Sequence, residues 1–388
     1  YKTGPESMTR QGMSAEQSEM LSDILDNNMA VAARLLVMDV AGVEEIIDNA
    51  PYTAEEARDA GLIDGVIQSW EMEHNGDILP LAAYRPKGTK TDPDHRLALI
   101  RIHGVILEDE FVTRPQANPI GMLDENWVVS VETARLILEH GQRDDISALI
   151  LDVDSPGGSP AGSEMIRQAI LDVREDGMPV FVTMGAQAAS GGYWISADAE
   201  RIWALPSTVT GSIGVYGGKF DLSALWQNWG VNWDSAGRGD RAGIWSMNKP
   251  YTVAEQAHIR AQLQDIYERF VALVAKGRGM TASEAEELAQ GRVWTGVQAV
   301  ENGLVDALGG VQDAIDHAKA MLGVEAGRSV VIETYPMPEP FFDRVVDGLS
   351  APVRISIPSL DPSLSYWMSP PAQRALWVPP GLAVSDGL

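Results

Sequence analysis

The sequence predicts an α/β fold with a mostly parallel sheet, on three observations. Short apolar runs alternate with longer segments of helical period, the order produced when crossover helices join strands. Runs such as Pro179-Val-Phe-Val-Thr183 read as buried strands. The chain also repeats part of itself. Tyr1-Lys-Thr-Gly-Pro-Glu-Ser-Met8 aligns without a gap on Asp240-Arg-Ala-Gly-Ile-Trp-Ser-Met247, and Ala15-Glu-Gln17 on Ala254-Glu-Gln256. After a three-residue slip, Tyr52-Thr53, Ala57 and Gly61-Leu-Ile-Asp64 match Trp294-Thr295, Ala299 and Gly303-Leu-Val-Asp306.

Taken in chain order, both copies carry a long helix, near 14–40 and 252–278, and then a shorter one. The shorter helix is expected near 53–60 in the first copy and near 282–290 or 295–302 in the second. The chain is therefore expected to begin partway through one copy and to hold the second entire. Residues 1–70 form the first unit, 71–95 a linker, 96–325 the second unit and 326–388 a Pro-rich tail. The second unit opens with strand Leu97-Ala-Leu-Ile-Arg-Ile102 and continues with a helix over 131–142. Strand Ala148-Leu-Ile-Leu-Asp-Val153, a helix over 162–175, the strand at 179–183 and a helix from Gly191 follow. Strand Arg201-Ile-Trp-Ala-Leu205 comes next.

At 388 residues the chain exceeds one ordinary core, and its 45 % apolar content is that of a soluble globular protein. No apolar run reaches the ~18 residues that span a bilayer, and no signal-peptide pattern opens the chain. Cysteine is absent, which excludes disulfides and thiolate catalysis. A net charge of −26 argues against nucleic-acid binding, which needs clustered Lys and Arg, and suits solubility or high salt instead.

Four segments bear chemistry. Ala188-Ala-Ser-Gly-Gly192 sets Ser190 among residues too small to hide it, between a strand and a helix. That is where a nucleophile gains backbone donors, and equally a common packing turn. Asp154-Ser-Pro-Gly-Gly-Ser159 follows a strand, and Gly157-Gly158 present backbone N–H groups that fit an oxyanion hole; an ordinary junction with Ser159 as N-cap fits too. Thr210-Gly-Ser-Ile-Gly214 offers Ser212, either to orient an amine or as a satisfied turn hydroxyl. Lys2 falls where the second copy has Arg241. An amine can lose its proton on burial whereas a guanidinium cannot, so Lys2 is a base or a solvated terminal lysine. The six histidines form no metal or triad pattern, and His103 reads as a packed or turn residue. A Ser–Lys pair therefore gains over Ser-His-Asp.

Together, Asp154-Ser-Pro-Gly-Gly-Ser159, Ala188-Ala-Ser-Gly-Gly-Tyr-Trp194 and Thr210-Gly-Ser-Ile-Gly214, in this order, resemble peptidase family S49, the signal peptide peptidases. Tyr1-Lys-Thr-Gly4 resembles the lysine segment of its long, two-repeat form. The likeness runs over residues 1–325. It implies repeated ββα units of the ClpP/crotonase-like kind and a Ser–Lys dyad shared between repeats. Ser190 matches the nucleophile, Lys2 the base, Ser212 the residue that hydrogen-bonds the amine, and Gly191 the oxyanion donor, with Gly158 added as a second donor. It further implies hydrophobic peptide substrates such as cleaved signal peptides, no cofactor or metal, and a homo-tetramer. The anchor to the bacterial inner membrane, facing the periplasm, is expected outside this chain. Two rivals remain: a crotonase-type acyl-CoA enzyme, which also uses paired backbone donors, and a non-catalytic scaffold. The lysines Lys2, Lys87, Lys90, Lys219, Lys249, Lys276 and Lys319 form no cluster for CoA phosphates.

Overall fold

A computed structural model describes residues 2–67, 91–108, 127–325 and 327–336. The first unit is helical: α1 (Glu6–Thr9), α2 (Ala15–Leu36), α3 (Val40–Asp48) and α4 (Ala54–Asp59). The single helix expected over 14–40 is broken in two. Val37 turns left-handed at φ 55°, and Met38 N–H donates back to Ala33 O at 3.0 Å. Asp39 then restarts the helix by capping Gly42 N–H at 2.8 Å.

The second unit starts with β1 (Thr91–His103), β2 (Val105–Leu107), β3 (Trp127–Val129) and α5 (Ser130–Gly141). Next come β4 (Ala148–Ser155), α6 (Pro160–Glu175), β5 (Val180–Ala189), α7 (Gly191–Ser196), β6 (Arg201–Ala204) and β7 (Val209–Gly211). It ends with α8 (Ser223–Asn228), α9 (Val253–Arg278), α10 (Ala282–Leu288), β8 (Val293–Thr295), α11 (Gly296–Glu301), β9 (Ala307–Leu308), α12 (Val311–Met321) and β10 (Ser329–Tyr335). Both short helices proposed for the second copy exist, as α10 and α11, and α3 and α4 are their counterparts. Thr53 and Thr295, matched in the repeat, cap α4 and α11 with the same reciprocal bonds.

The main sheet runs β10-β1-β4-β5-β6-β9, with β7 beside β5 and β8 beside β7. Every pairing is parallel except β7 with β8. Strands β2 and β3 pair separately. Side chains alternate across the sheet, so β4 feeds two cores. Leu149 and Leu151 pack with Ile137 of α5, Ile166 and Ile170 of α6 and Val274 of α9. Ala148 and Ile150 face Ala314, Ile315 and Ala318 of α12 with Phe181 and Trp203. Each fully buried Leu or Ile contributes about 1.5–3 kcal/mol, which makes β4 and β5 the rigid spine beneath their loops.

Residues 91–95 of the expected linker open β1, and 71–90 lie outside the described residues. The Pro-rich segment also differs from expectation. Its Ser329–Tyr335 forms the sheet edge, parallel to β1, with Glu333 bonded to Arg96 and Arg143. A run of three apolar residues, Val330 to Ile332, was too short to stand out among prolines. The rest of 326–388 apart from 327–336 lies outside the described residues.

Candidate active site

Three loops meet because three parallel strands end side by side. Ser155 of β4 pairs with Ala188 of β5, and Ala189 of β5 pairs with Gly211 of β7. The carboxyl ends of these strands therefore carry Pro156-Gly-Gly158, Ser190 and Ser212 to one place, the usual location of sites in parallel sheets. Ser190 joins β5 to α7 in a strained backbone, φ 53° and ψ −117°. Its N–H donates to Gly211 O at 2.9 Å, and its carbonyl accepts from Trp194 N–H at 2.9 Å. Helix α7 is wholly buried. Tyr193 Oη donates to Leu304 O at 2.7 Å and Trp194 Nε1 to Glu164 Oε2 at 2.7 Å. The strain at Ser190 is thus held by a helix that cannot shift.

Lys2 reaches this loop from the other unit. Its Nζ lies 3.1 Å from Ser190 Oγ, 2.9 Å from Ser212 Oγ and 3.0 Å from Ser212 O. Burial strips water from the ammonium and pushes its pKa down to about 8. Among the described residues no carboxylate pairs with it. At neutral pH a useful fraction of the amine is uncharged, and that fraction grows as pH rises through about 8. Arg241, at the matching position of the second copy, is exposed.

Backbone donors stand beside the hydroxyl. Gly157 adopts φ +101°, and a Cβ there would lie 2.5 Å from Gly191 N and 2.8 Å from Ser190 Cβ. Only glycine keeps that space open. Gly157 N–H is already committed to Ser155 Oγ at 3.1 Å. A Cβ on Gly191 would fall 3.1 Å from Gly158 N, so the N–H groups of Gly191 and Gly158 are neighbours, and neither has an acceptor among the described residues. Ser159 caps α6 by accepting from Gly162 N–H at 3.1 Å, as the alternative reading of its motif had it.

These groups open into a cleft of about 620 Å³. Its apolar wall includes Met20, Leu21 and Ile24 of α2 with Leu107, Val215 and Phe270. Lys2 is the one charged residue lining it among the described residues. His103 stays outside the cleft, 3.0 Å from Asp152 Oδ2, and that hydrogen bond raises its pKa. Among the described residues no group of three or more His, Asp and Glu stands ready to hold a metal ion.

Two residues at the site escaped sequence reasoning, Gly291 and Arg292. Gly291 packs against the Lys2 backbone and Arg292 pairs with α2. The repeat held the signal. Its match of Tyr52-Thr53 on Trp294-Thr295 sets Asn49-Ala50 opposite Gly291-Arg292, a chemical difference like that between Lys2 and Arg241.

A family model described as peptidase family S49 matches residues 172–325. Protease 4 of Salmonella typhi is 32% identical over 334 residues, covering 82% of this chain and 51% of that protein. The chloroplastic serine protease SPPA of Arabidopsis thaliana is 30% identical over 378 residues, covering 91% of this chain and 54% of its own. A putative protease of Synechocystis sp. is 34% identical over 201 residues, 52% of this chain and 72% of that protein. The chain thus spans about half the length of the first two relatives.

Proposed function

Because this chain belongs to peptidase family S49, we propose that it is a serine peptidase with Ser190 as nucleophile and Lys2 as general base. The observation that carries this reading is the 3.1 Å approach of Lys2 Nζ to Ser190 Oγ across 188 positions of sequence. A neutral amine has two N–H donors and one lone pair. Ser212 O and Ser212 Oγ take the donors, which leaves the lone pair for the Ser190 hydroxyl.

Ser190 Oγ gives its proton to Nζ as it bonds to the scissile carbonyl carbon. The oxyanion rests on the N–H groups of Gly191 and Gly158, a type of donor worth about 3 kcal/mol each. The Lys2 ammonium then protonates the departing amide nitrogen, the C–N bond breaks, and an acyl ester on Ser190 remains. Water attacks the ester while giving a proton to the regenerated amine. Collapse returns that proton to Ser190 Oγ and frees the acid.

The apolar cleft wall supports hydrophobic peptides as substrates. To the same proposal belong cleaved signal peptides, a homo-tetramer and work at the periplasmic face of an inner membrane. No described helix is long and apolar enough to cross a membrane. A cleft whose one lining charge among the described residues is Lys2 suits an acyl-CoA, with its several phosphates, poorly.

A fluorophosphonate probe with mapping of the adduct tests the nucleophile, and the expected adduct is on Ser190. Peptide-ester hydrolysis at pH 8 tests the base. Lys2→Ala is expected to lose at least about 10³-fold in kcat; a wild-type rate in that variant removes Lys2 from the mechanism.

A further inference from the structure

The amine approaches Ser190 on a segment with little burial of its own, so something in the second unit must hold it in register. Residues 290–293 are placed to do so. Gln290 and Gly291 are successive left-handed residues, at φ 56° and 77°. Their turn is sewn to the Ser212 loop. Gly291 N–H donates to Ile213 O at 2.8 Å, and Ser212 N–H donates to Arg292 O at 2.7 Å. Lys2 lies directly on this turn, since a Cβ on Gly291 would stand 2.8 Å from both Lys2 Cα and Lys2 N.

Arg292 grips the helix that follows Lys2. Its Nη1 is 2.8 Å from Glu19 Oε1 and its Nη2 is 2.9 Å from Asp23 Oδ2. Glu19 and Asp23 are one turn apart on α2, where like charges repel unless a cation joins them. The guanidinium stacks 4.5 Å over the Trp294 ring, and Trp294 Nε1 donates to Leu288 O at 3.0 Å. Between the two carboxylates, Met20 is buried and its sulfur accepts from Val293 N–H at 3.5 Å. A forked, stacked cation is needed here, because a lysine reaches one carboxylate at a time. The first copy, which supplies the amine, has Asn49-Ala50 at the matching positions and lacks both devices.

We propose that Gly291 and Arg292 are positioning residues for Lys2: Gly291 is the slot for its backbone, and Arg292 clamps α2 so that the amine meets Ser190 and Ser212. Neither touches the reacting atoms. The proposal rests on the reading of Lys2 as the base.

The experiment compares four full chains: wild type, Gly291→Ala, Arg292→Lys and the double variant Glu19→Gln with Asp23→Asn. For each, kcat, KM and the pH dependence of kcat are measured on a peptide ester, with thermal unfolding alongside. Gly291→Ala and the double carboxylate variant are expected to lose about tenfold or more in kcat at pH 7.5, with KM changing less than about threefold. The midpoint of their kcat rise moves up from about 8 toward the ordinary lysine value of 10.5, as the loosened amine regains water. Arg292→Lys shows the same shift at smaller size. Glu19 and Asp23 are partly exposed, so their replacement leaves the core intact even if Gly291→Ala unfolds. Wild-type kcat and midpoint in the double variant overturn the clamp, and the same result in a folded Gly291→Ala overturns the slot. If Lys2→Ala is inactive while these variants behave as wild type, the positioning proposal alone has failed. If Lys2→Ala keeps its activity, the dyad reading has failed with it.

Discussion

Helices α2 and α9 hold the same place in the two copies of the repeat, yet their surroundings differ. Helix α9 buries Ile259, and its Phe270, Val271, Leu273 and Val274 belong to the larger core, beside α7 and α10. Helix α2 buries Met20 and Ala33, while Leu35 is 78% exposed and Val37 90% exposed. Met20 and Ile259, one turn beyond the gapless register, are both buried. The likeness therefore holds where each helix begins and is lost where it ends. An amphipathic pattern offers an apolar face, but a partner has to supply the burial. The candidate site uses only the docked beginning of α2, next to Lys2.

The sharpest way to break the comparison is to erase the chemical difference between the copies. Lys2→Arg makes the first copy like the second, which has Arg241, and a guanidinium does not give up its proton. A loss of at least about 10³-fold in kcat, roughly 4 kcal/mol of transition-state stabilisation, is expected with unchanged thermal unfolding. A folded Lys2→Arg protein with full activity contradicts the proposed base.

Packing gives the next effect. Val274→Ala should lower unfolding free energy by about 2–3 kcal/mol, whereas Leu35→Ala should stay within about 0.5 kcal/mol. Denaturant titration of both variants decides it; equal losses mean that the end of α2 is covered as α9 is.

A smaller effect concerns the sheet edge. Hydrogen bonds from Arg143, then Tyr335 and Arg96, hold the Glu333 carboxyl down to about 2 from an ordinary 4.5. The folded value is the lower one, so this stabilisation is whole above about 4.5 and is lost as pH falls through about 2. Glu333→Gln is expected to cost about 1 kcal/mol at neutral pH, with the gap to wild type closing between those limits. A gap that widens on acidification contradicts the assignment.

Much of this molecule could be read from its residues, and the failures have physical causes. The three glycine-serine loops announce themselves because small residues beside strands have few other reasons to cluster. Lys2 stood out only because the repeat set it against Arg241. The break at Val37 was hidden, since β-branched residues seldom turn left-handed and nothing marks one that does. Strand β10 was hidden because parallel pairing with β1 across more than two hundred positions leaves no local trace. Gly291 and Arg292 were hidden because their role is defined by a segment almost three hundred residues away. Only a side-by-side comparison of Asn49-Ala50 with Gly291-Arg292 would have raised the question.

In the proposed mechanism the proton acceptor and the attacking alcohol sit on separate units, and this has a consequence for the life of the chain. A freshly made second unit displays Ser190 but cannot ionise it, and a loose first unit carries only a common, charged lysine. On that proposal hydrolytic power arises only when the halves lock together, so an unfinished molecule is harmless to its neighbours and to itself. The separation of the two groups is in this sense a safety catch, released when α2 docks.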